Sequence, residues 1–259
     1  MTDQTDAPEV LTEVDGHVLV ITLNRPAAKN AANAAMAQQM DAILTDFEAN
    51  DDLYAAVVTG AGKTFCSGMD LKGFLRGERP SIEGKGFLAL TQASIAKPVI
   101  AAVEGYALAG GFETMLACDL VVAAETAKFG IPEVKRGLAA AAGGLVTLPQ
   151  RTHRAIAMEM ALTGDIYPAT FGKENGFVNR IVEDGKALEG ALELARTIAA
   201  NGPLAVKASK QVIAESIDWS TEEKFDRQSA IVDPVFTSDD AKEGATAFAE
   251  KRAPNWTGK

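Results

Sequence analysis

The residues of this chain best placed to do chemistry gather in one stretch, Lys97 to Leu120. An apolar run of strand type, Val99 to Val103, passes Gly105 and a small-residue corner, Ala107-Leu108-Ala109-Gly110-Gly111. It continues as a short helix, Gly111 to Cys118, carrying one carboxylate, Glu113, in its first turn. A helix start leaves backbone N–H groups without intrahelical partners and holds partial positive charge. With no side chains at Gly110 and Gly111, a ligand oxygen could approach that backbone closely. The expected product is an anion-stabilising corner with an acid or base beside it. The same residues also suit a plain strand-to-helix turn in which Glu113 only favours the helix start. A second glycine-bearing strand exit lies at Gly68-Met69, and a second carboxylate, Glu133, follows Pro132.

Other chemistries find less support. His17 falls in a hairpin and His153 at a helix start, and neither has a serine or cysteine partner at a recognisable spacing. No His, Cys or carboxylate cluster has metal-ligand spacing. Gly60-Ala61-Gly62-Lys63-Thr64 resembles the end of a phosphate-binding loop, but Val57 stands where that motif needs a glycine. Gly60-x-Gly62 also resembles the start of a dinucleotide fingerprint, whose third small position is here Phe65. A nicotinamide oxidoreductase would rest on that broken pattern alone.

The elements that must position these residues follow from hydrophobic spacing. Val10 to Val14 and Val18 to Leu23 read as a hairpin turned by Asp15-Gly16. Asn33 caps a helix with apolar positions Met36, Met40, Leu44 and Phe47, and Ala55 to Val58 is a buried-type strand. Residues 1–8 read as a loose tail, residues 72–86 as a mobile loop and Phe87 to Ala96 as a helix. Asp119 to Ala124 and Phe177 to Val182 read as strands. Ala139 to Gly144 opens a helix toward Leu148, Thr152 caps another to Leu162, and Pro168 to Glu174 is a short one. From Lys186 on only helices are expected: Ala187–Ala200, Pro203–Ser216, Ser220–Ile231 with a capping box from Ser220 and Glu223, and Asp239–Arg252.

Composition bounds the class. The chain has 259 residues, 47% of them hydrophobic, and a formal net charge of -10, which disfavours nucleic-acid binding. Cys66 and Cys118 make no disulfide framework, and the start of the chain has no secretory pattern. No apolar run approaches a membrane span. A soluble protein of a reducing compartment, the cytoplasm, is the expectation.

Taken in order, several pieces of the chain carry a resemblance. They are Leu23-Asn24-Arg25-Pro26 with Asn30-Ala31, then Phe65-Cys66-Ser67-Gly68-Met69-Asp70-Leu71 and Ile100 through Gly111. Cys118-Asp119-Leu120, Phe129-Gly130-Ile131-Pro132-Glu133 and Ala247-Phe248-Ala249-Glu250-Lys251-Arg252 complete the set. In this order and spacing the chain resembles the enoyl-CoA hydratase (crotonase) superfamily over nearly its full length. The resemblance implies an α/β fold, a spiral of β-β-α units over residues 1–195. A helical region over 196–259 would build a homotrimer or a dimer of trimers.

The resemblance also implies roles. The backbone N–H groups of Met69 and Gly110 would form an oxyanion hole for the thioester carbonyl of an acyl-CoA. Glu113 and Glu133, twenty residues apart, would hold one water, Glu113 taking its proton as oxygen attacks C3 and Glu133 delivering a proton to C2. Two neighbouring carboxylates do not readily both ionise, which leaves one acid and one base at neutral pH. Ala28, Lys29, Ser67, Gly68, Asp70 and Leu71 would contact the CoA portion, with Lys29 at its phosphates and Ala107 flanking it as well. Phe248 and Lys251 would reach a neighbouring subunit's CoA. Many hydratases carry Pro-Gly where Ala140-Ala141 stands here, and the N–H of Ala141 would help position the water. No cofactor is implied, coenzyme A entering as part of the substrate. The activity implied is reversible hydration of 2-enoyl-CoA. A Δ-isomerase, a specialised dehydratase of the carnitinyl-CoA kind and a non-catalytic acyl-CoA-binding protein are its rivals.

Overall fold

The computed structural model describes residues 8–259, so the expected tail lies, but for Pro8, outside the described residues. The chain enters through β1 (Val10–Asp15) and returns as β2 (Val18–Leu23), paired antiparallel from Val10↔Leu23 to Asp15↔Val18. Gly16 takes φ +58° at the first of the two loop positions, where a side chain would be strained. Asn33 caps α1 (Ala34–Ala49) by accepting from the Met36 N–H at 2.8 Å, and the helix buries Met36, Met40, Leu44 and Phe47 at the expected spacing.

After β3 (Ala55–Gly60) come the Gly68-Met69 corner, a short helix α2 (Leu71–Leu75) and a small hairpin of β4 (Ser81–Ile82) and β5 (Gly86–Phe87). Next are β6 (Val99–Val103), β7 (Tyr106–Leu108), α3 (Gly110–Ala117), β8 (Leu120–Ala124) and β9 (Lys128–Gly130). They are followed by α4 (Gly144–Arg151), α5 (Arg154–Thr163), β10 (Ile166–Pro168), α6 (Ala169–Glu174) and β11 (Arg180–Val182). The last helices are α7 (Ala187–Ala199), α8 (Pro203–Glu215), α9 (Lys224–Phe236) and α10 (Asp239–Glu250).

Among the described residues the main sheet runs β1-β2-β3-β6-β8-β11 and is parallel after the first hairpin. A second layer, β10-β9-β7, is extended by single parallel bridges Cys66↔Ala107 and Ala32↔Met69. The chain thus repeats one turn: main-sheet strand, second-layer strand or bridge, helix. It does so as β2, Ala32, α1; as β3, Cys66 to Met69, α2; and as β6, β7, α3. Both faces of the parallel sheet are covered, which is why its strands read as unbroken apolar runs. Ala56, Val58, Ala101 and Val103 face the main core, while Ala55, Val57, Ile100 and Ala102 meet a strip of alanines on α7. That strip, Ala187, Ala191, Ala195 and Ala199, recurs every fourth residue along one helix face. The expected domain boundary at 195 falls within this helix.

Several local expectations are corrected. Residues 72–86 hold α2, capped by Asp70 through the N–H groups of Lys72 and Gly73, and the β4–β5 hairpin rather than a featureless loop. Phe87 to Ala96 is not a helix: Phe87 pairs with Ser81, and Leu88 and Ala89 take φ of 50° and 53°, left-handed values that break any helix there. Thr152 ends α4 instead of capping α5, which starts after His153 without a side-chain cap. Only Arg180–Val182 of the last predicted strand pairs, because Phe177 turns into an aromatic cluster with Phe112 and Phe129. Ser220 accepts from the Glu223 N–H at 3.3 Å, one turn before α9 begins.

The first glycine of the sequence that imitates a phosphate loop serves packing. A Cβ at Gly60 would lie 2.3 Å from the carbonyl oxygens of Thr64 and Phe65 and 2.7 Å from Asn30 Nδ2. Asn30 is buried; its Nδ2 donates to the carbonyls of Ala61 (3.0 Å) and Thr64 (2.6 Å), and its Oδ1 accepts from the Arg25 N–H (2.9 Å). Asn30→Ala leaves those groups unpaired, and urea titration should show a loss of about 2–4 kcal/mol. A loss below about 0.5 kcal/mol, the range of ordinary surface changes, would contradict this role.

Candidate active site

The two glycine corners are pressed together by the second layer. Cys66 N–H donates to the Tyr106 carbonyl and Leu108 N–H to the Cys66 carbonyl, both at 3.0 Å. On the other side, Ala32 N–H donates to the Gly68 carbonyl and Asp70 N–H to the Ala32 carbonyl, both at 2.8 Å. Gly68 has φ +99°, and a Cβ there would sit 2.8 Å from Ala109 Cβ and 3.3 Å from Gly110 N. Ala109 itself holds φ 52°, ψ -130°, rare for a residue with a side chain, and its N–H is tied to the Gly130 carbonyl at 3.0 Å. Gly111 admits no side chain, since a Cβ would come 2.1 Å from the Cys66 carbonyl oxygen. Among the described residues the N–H groups of Met69 and Gly110 have no backbone acceptor. At Gly110 this is the ordinary state of the first residue of a helix.

Glu113, 4% exposed, points at the entrance of α4. Its Oε1 accepts from the N–H groups of Ala142 (2.9 Å) and Gly144 (2.8 Å). Gly144 is needed there, because a Cβ would lie 2.8 Å from Glu113 Cγ. Burial raises the Glu113 carboxyl above its ordinary value, and the two N–H donors partly offset that. Glu133 sits on the 3-10 turn Pro132–Arg136, with Oε2 buried and unpartnered among the described residues. Burial pushes Glu133 up to about 7; its own backbone N–H and the Arg136 charge oppose the rise, and the Glu113 charge adds to it. The more buried acid is thus the one whose charge is better supported, and the two carboxylates are unequal for a visible reason.

Both glutamates, Met69, Gly110, Ser67, Leu71 and Ala141 line one cavity of about 670 Å³. Gly68 lies buried behind that wall. Ala28 and the exposed Lys29 stand outside the lining, joined to it by the Lys29 carbonyl, which accepts from the Ser67 N–H at 3.1 Å. Ala107 is buried on β7. The Asp70 carboxylate is engaged by Arg25 at 3.1 Å and by the cap of α2; although burial raises it, those contacts hold it below the usual carboxylate range. Phe248, 88% exposed, and Lys251 lie at the end of α10, away from the cavity of their own chain. The Ala142 and Gly144 donors were not singled out from sequence, although the small-residue run Ala139 to Gly144 opening a helix was the available sign. Cys66 is a buried free thiol; burial pushes it up to about 12, and its sulfur accepts from the Gly68 N–H at 3.4 Å.

Repeated strand–strand–helix turns that bring glycine-bearing corners against a carboxylate pair in one cavity define a crotonase-fold site. The chain belongs to the enoyl-CoA hydratase/isomerase family, whose sequence profile matches residues 13–259. An enoyl-CoA hydratase of Mycobacterium tuberculosis is 42% identical over 96% of both chains, and a carnitinyl-CoA dehydratase of Proteus mirabilis is 40% identical over 94% of this chain and 96% of its own. The crystal structure of an enoyl-CoA hydratase from Mycobacterium tuberculosis matches with a TM-score of 0.96 at 55% identity, covering 98% of this chain and all of that one.

Proposed function

We propose that this protein is an enoyl-CoA hydratase, adding water reversibly across the double bond of a 2-enoyl-CoA. The unequal environments of Glu113 and Glu133 carry this reading. The carboxylate held by two N–H donors is the base that takes the water's proton as oxygen attacks C3. The one raised to about 7 is the acid that protonates C2. The N–H groups of Met69 and Gly110 receive the thioester oxygen as charge builds on it, favouring the transition state over the substrate. The N–H of Ala141, beside both glutamates in the lining, helps hold the water. Ser67, Leu71 and the Ala28-Lys29 turn form the approach for coenzyme A, with Gly68 behind it and Asp70 holding it through Arg25 and the α2 cap. No cofactor beyond the substrate's own CoA takes part. An isomerase needs one of the two carboxylates, so a lining that contains both favours hydration. A dehydratase is the same site run in reverse, as the name of the Proteus relative suggests.

Purified protein should convert but-2-enoyl-CoA to 3-hydroxybutyryl-CoA. Tight binding of acyl-CoAs with no turnover across chain lengths would leave only a ligand-binding role. The pH dependence has a defined sign. In the hydration direction Glu133 acts protonated, so kcat/KM is expected to fall as pH rises through about 7. Dehydration starts from the same one-proton pair, with the proton on Glu113, so its kcat/KM should fall over the same range. A kcat/KM that stays level or rises through pH 7 would contradict the assignment.

Assembly as a homotrimer or a dimer of trimers through the helices over 196–259 fits their exposed apolar side chains, Ile213 on α8 and Phe225 and Phe236 on α9. Phe248 and Lys251 would then complete a neighbour's CoA site. No helix among the described residues is long and apolar enough to cross a membrane, and a cytoplasmic location suits a CoA-dependent activity.

A further inference from the structure

The cavity carries positive charge whose one visible effect on hydration is that Arg136 opposes the rise of Glu133. Arg79 and Arg136 both line it. Among the described residues neither forms a salt bridge, and Glu83, the one lining carboxylate besides the two reacting glutamates, pairs with neither. Arg79 donates to the Glu78 carbonyl at 2.9 Å and lies 4.4 Å over the ring of Phe74, which shares the wall. Arg136 donates to the Pro132 carbonyl at 3.4 Å within its own turn. In a chain of net charge -10, carboxylates are in excess. Two solvent-exposed guanidinium groups without a carboxylate partner, lining one cavity, are open to a ligand anion.

The two cations lie close in sequence to elements of the reacting site. Arg136 follows Glu133 by three residues on one turn, and Arg79 begins the segment that leads into the β4–β5 hairpin. Lys29, the cation expected at the CoA phosphates, lies outside this lining. Arg136 thus shares its turn with one of the two reacting glutamates, and Phe74, Ile82 and Leu138 supply apolar wall in the same cavity for a short methylene run.

We propose, on the hydratase reading, that the preferred substrate is a 2-enoyl-CoA whose acyl chain ends in a carboxylate, held by Arg79 and Arg136. Guanidinium groups match a carboxylate with paired, charge-assisted hydrogen bonds, which an ammonium or a neutral donor does not reproduce. A methyl-terminated chain leaves both guanidinium groups without a counterion.

The test compares 2-enoyl-CoAs ending in a carboxylate at C5, C6 or C7 with methyl-terminated thioesters of matching length. At least one carboxylate-ended member should show a kcat/KM about tenfold or more above its neutral counterpart. That ratio should fall to near unity in Arg79→Gln and Arg136→Gln, and Arg79→Lys should restore only part of it. Neutral chains preferred or equal at every length would overturn the proposal. So would an arginine effect that is equal for both series and disappears with pantetheine thioesters, since the anion would then be a CoA phosphate. If no thioester is hydrated, the hydratase reading fails separately. Dissociation constants of glutaryl-CoA and hexanoyl-CoA then decide the anion preference alone: tighter glutaryl-CoA supports it and equal binding ends it.

Discussion

Glu133→Gln is expected to lower kcat for hydration by about 10²–10⁴ with little change in KM. Glutamine keeps the size of the side chain but has no proton to deliver to C2 at the developing enolate. Glu133 makes no side-chain hydrogen bond through Oε2 that the amide would break, so the fold should survive the exchange. The pH limb near 7 should vanish with it, because that limb is the ionisation of this one group. Glu113→Gln should cost a similar factor by removing the base. Its amide oxygen still accepts from the N–H groups of Ala142 and Gly144, which separates loss of proton transfer from loss of structure. A Glu133→Gln enzyme with wild-type turnover and an unchanged pH profile would remove Glu133 from the reaction.

Gly111→Ala is expected to lower kcat/KM by at least about 10³, more than the loss of a single oxyanion donor, because it disturbs both corners at once. The added methyl would stand 2.1 Å from the Cys66 carbonyl oxygen, which is backbone and has nowhere to go. That carbonyl accepts from the Leu108 N–H at 3.0 Å, so moving it loosens the bridge between the Gly68-Met69 corner and β7. Thermal unfolding should drop as well, by about 2–4 kcal/mol, the range of severe core lesions. Assays at a temperature where the variant remains folded isolate the site effect. Retained activity there would show that the two corners tolerate separation.

Much of the frame was readable because it rests on strong local rules. The Asp15-Gly16 hairpin, the Asn33 cap and the apolar run Val99 to Val103 each have a single good conformation. The residues between them were harder to read. Phe87 to Ala96 carries helix-forming composition, yet Leu88 and Ala89 adopt left-handed conformations imposed by the β4–β5 hairpin and its buried Phe87. β7 and β9 are three residues each, too short for periodicity, and exist because they pair with one another. Within the site, Glu113, Glu133 and the glycine corners stood out by residue type. The donors that hold Glu113, the N–H groups of Ala142 and Gly144, belong to the backbone, and no side chain announces them. The two unmatched arginines were invisible for a related reason: whether an arginine has a carboxylate partner depends on tertiary placement, not on spacing.

The central claim is that two main-chain donors polarise one thioester oxygen while a carboxylate pair flanks the adjacent carbons. It is tested most directly by the isotope-edited infrared spectrum of an enoyl-CoA labelled with ¹³C at its carbonyl and bound to the Glu113→Gln variant, recorded before its slowed turnover, about 10²–10⁴ below wild type, consumes the substrate. The carbonyl stretch should move to lower frequency than in water, as two amide donors at one oxygen require. A stretch at its solution position, with the ligand fully bound, would contradict the account.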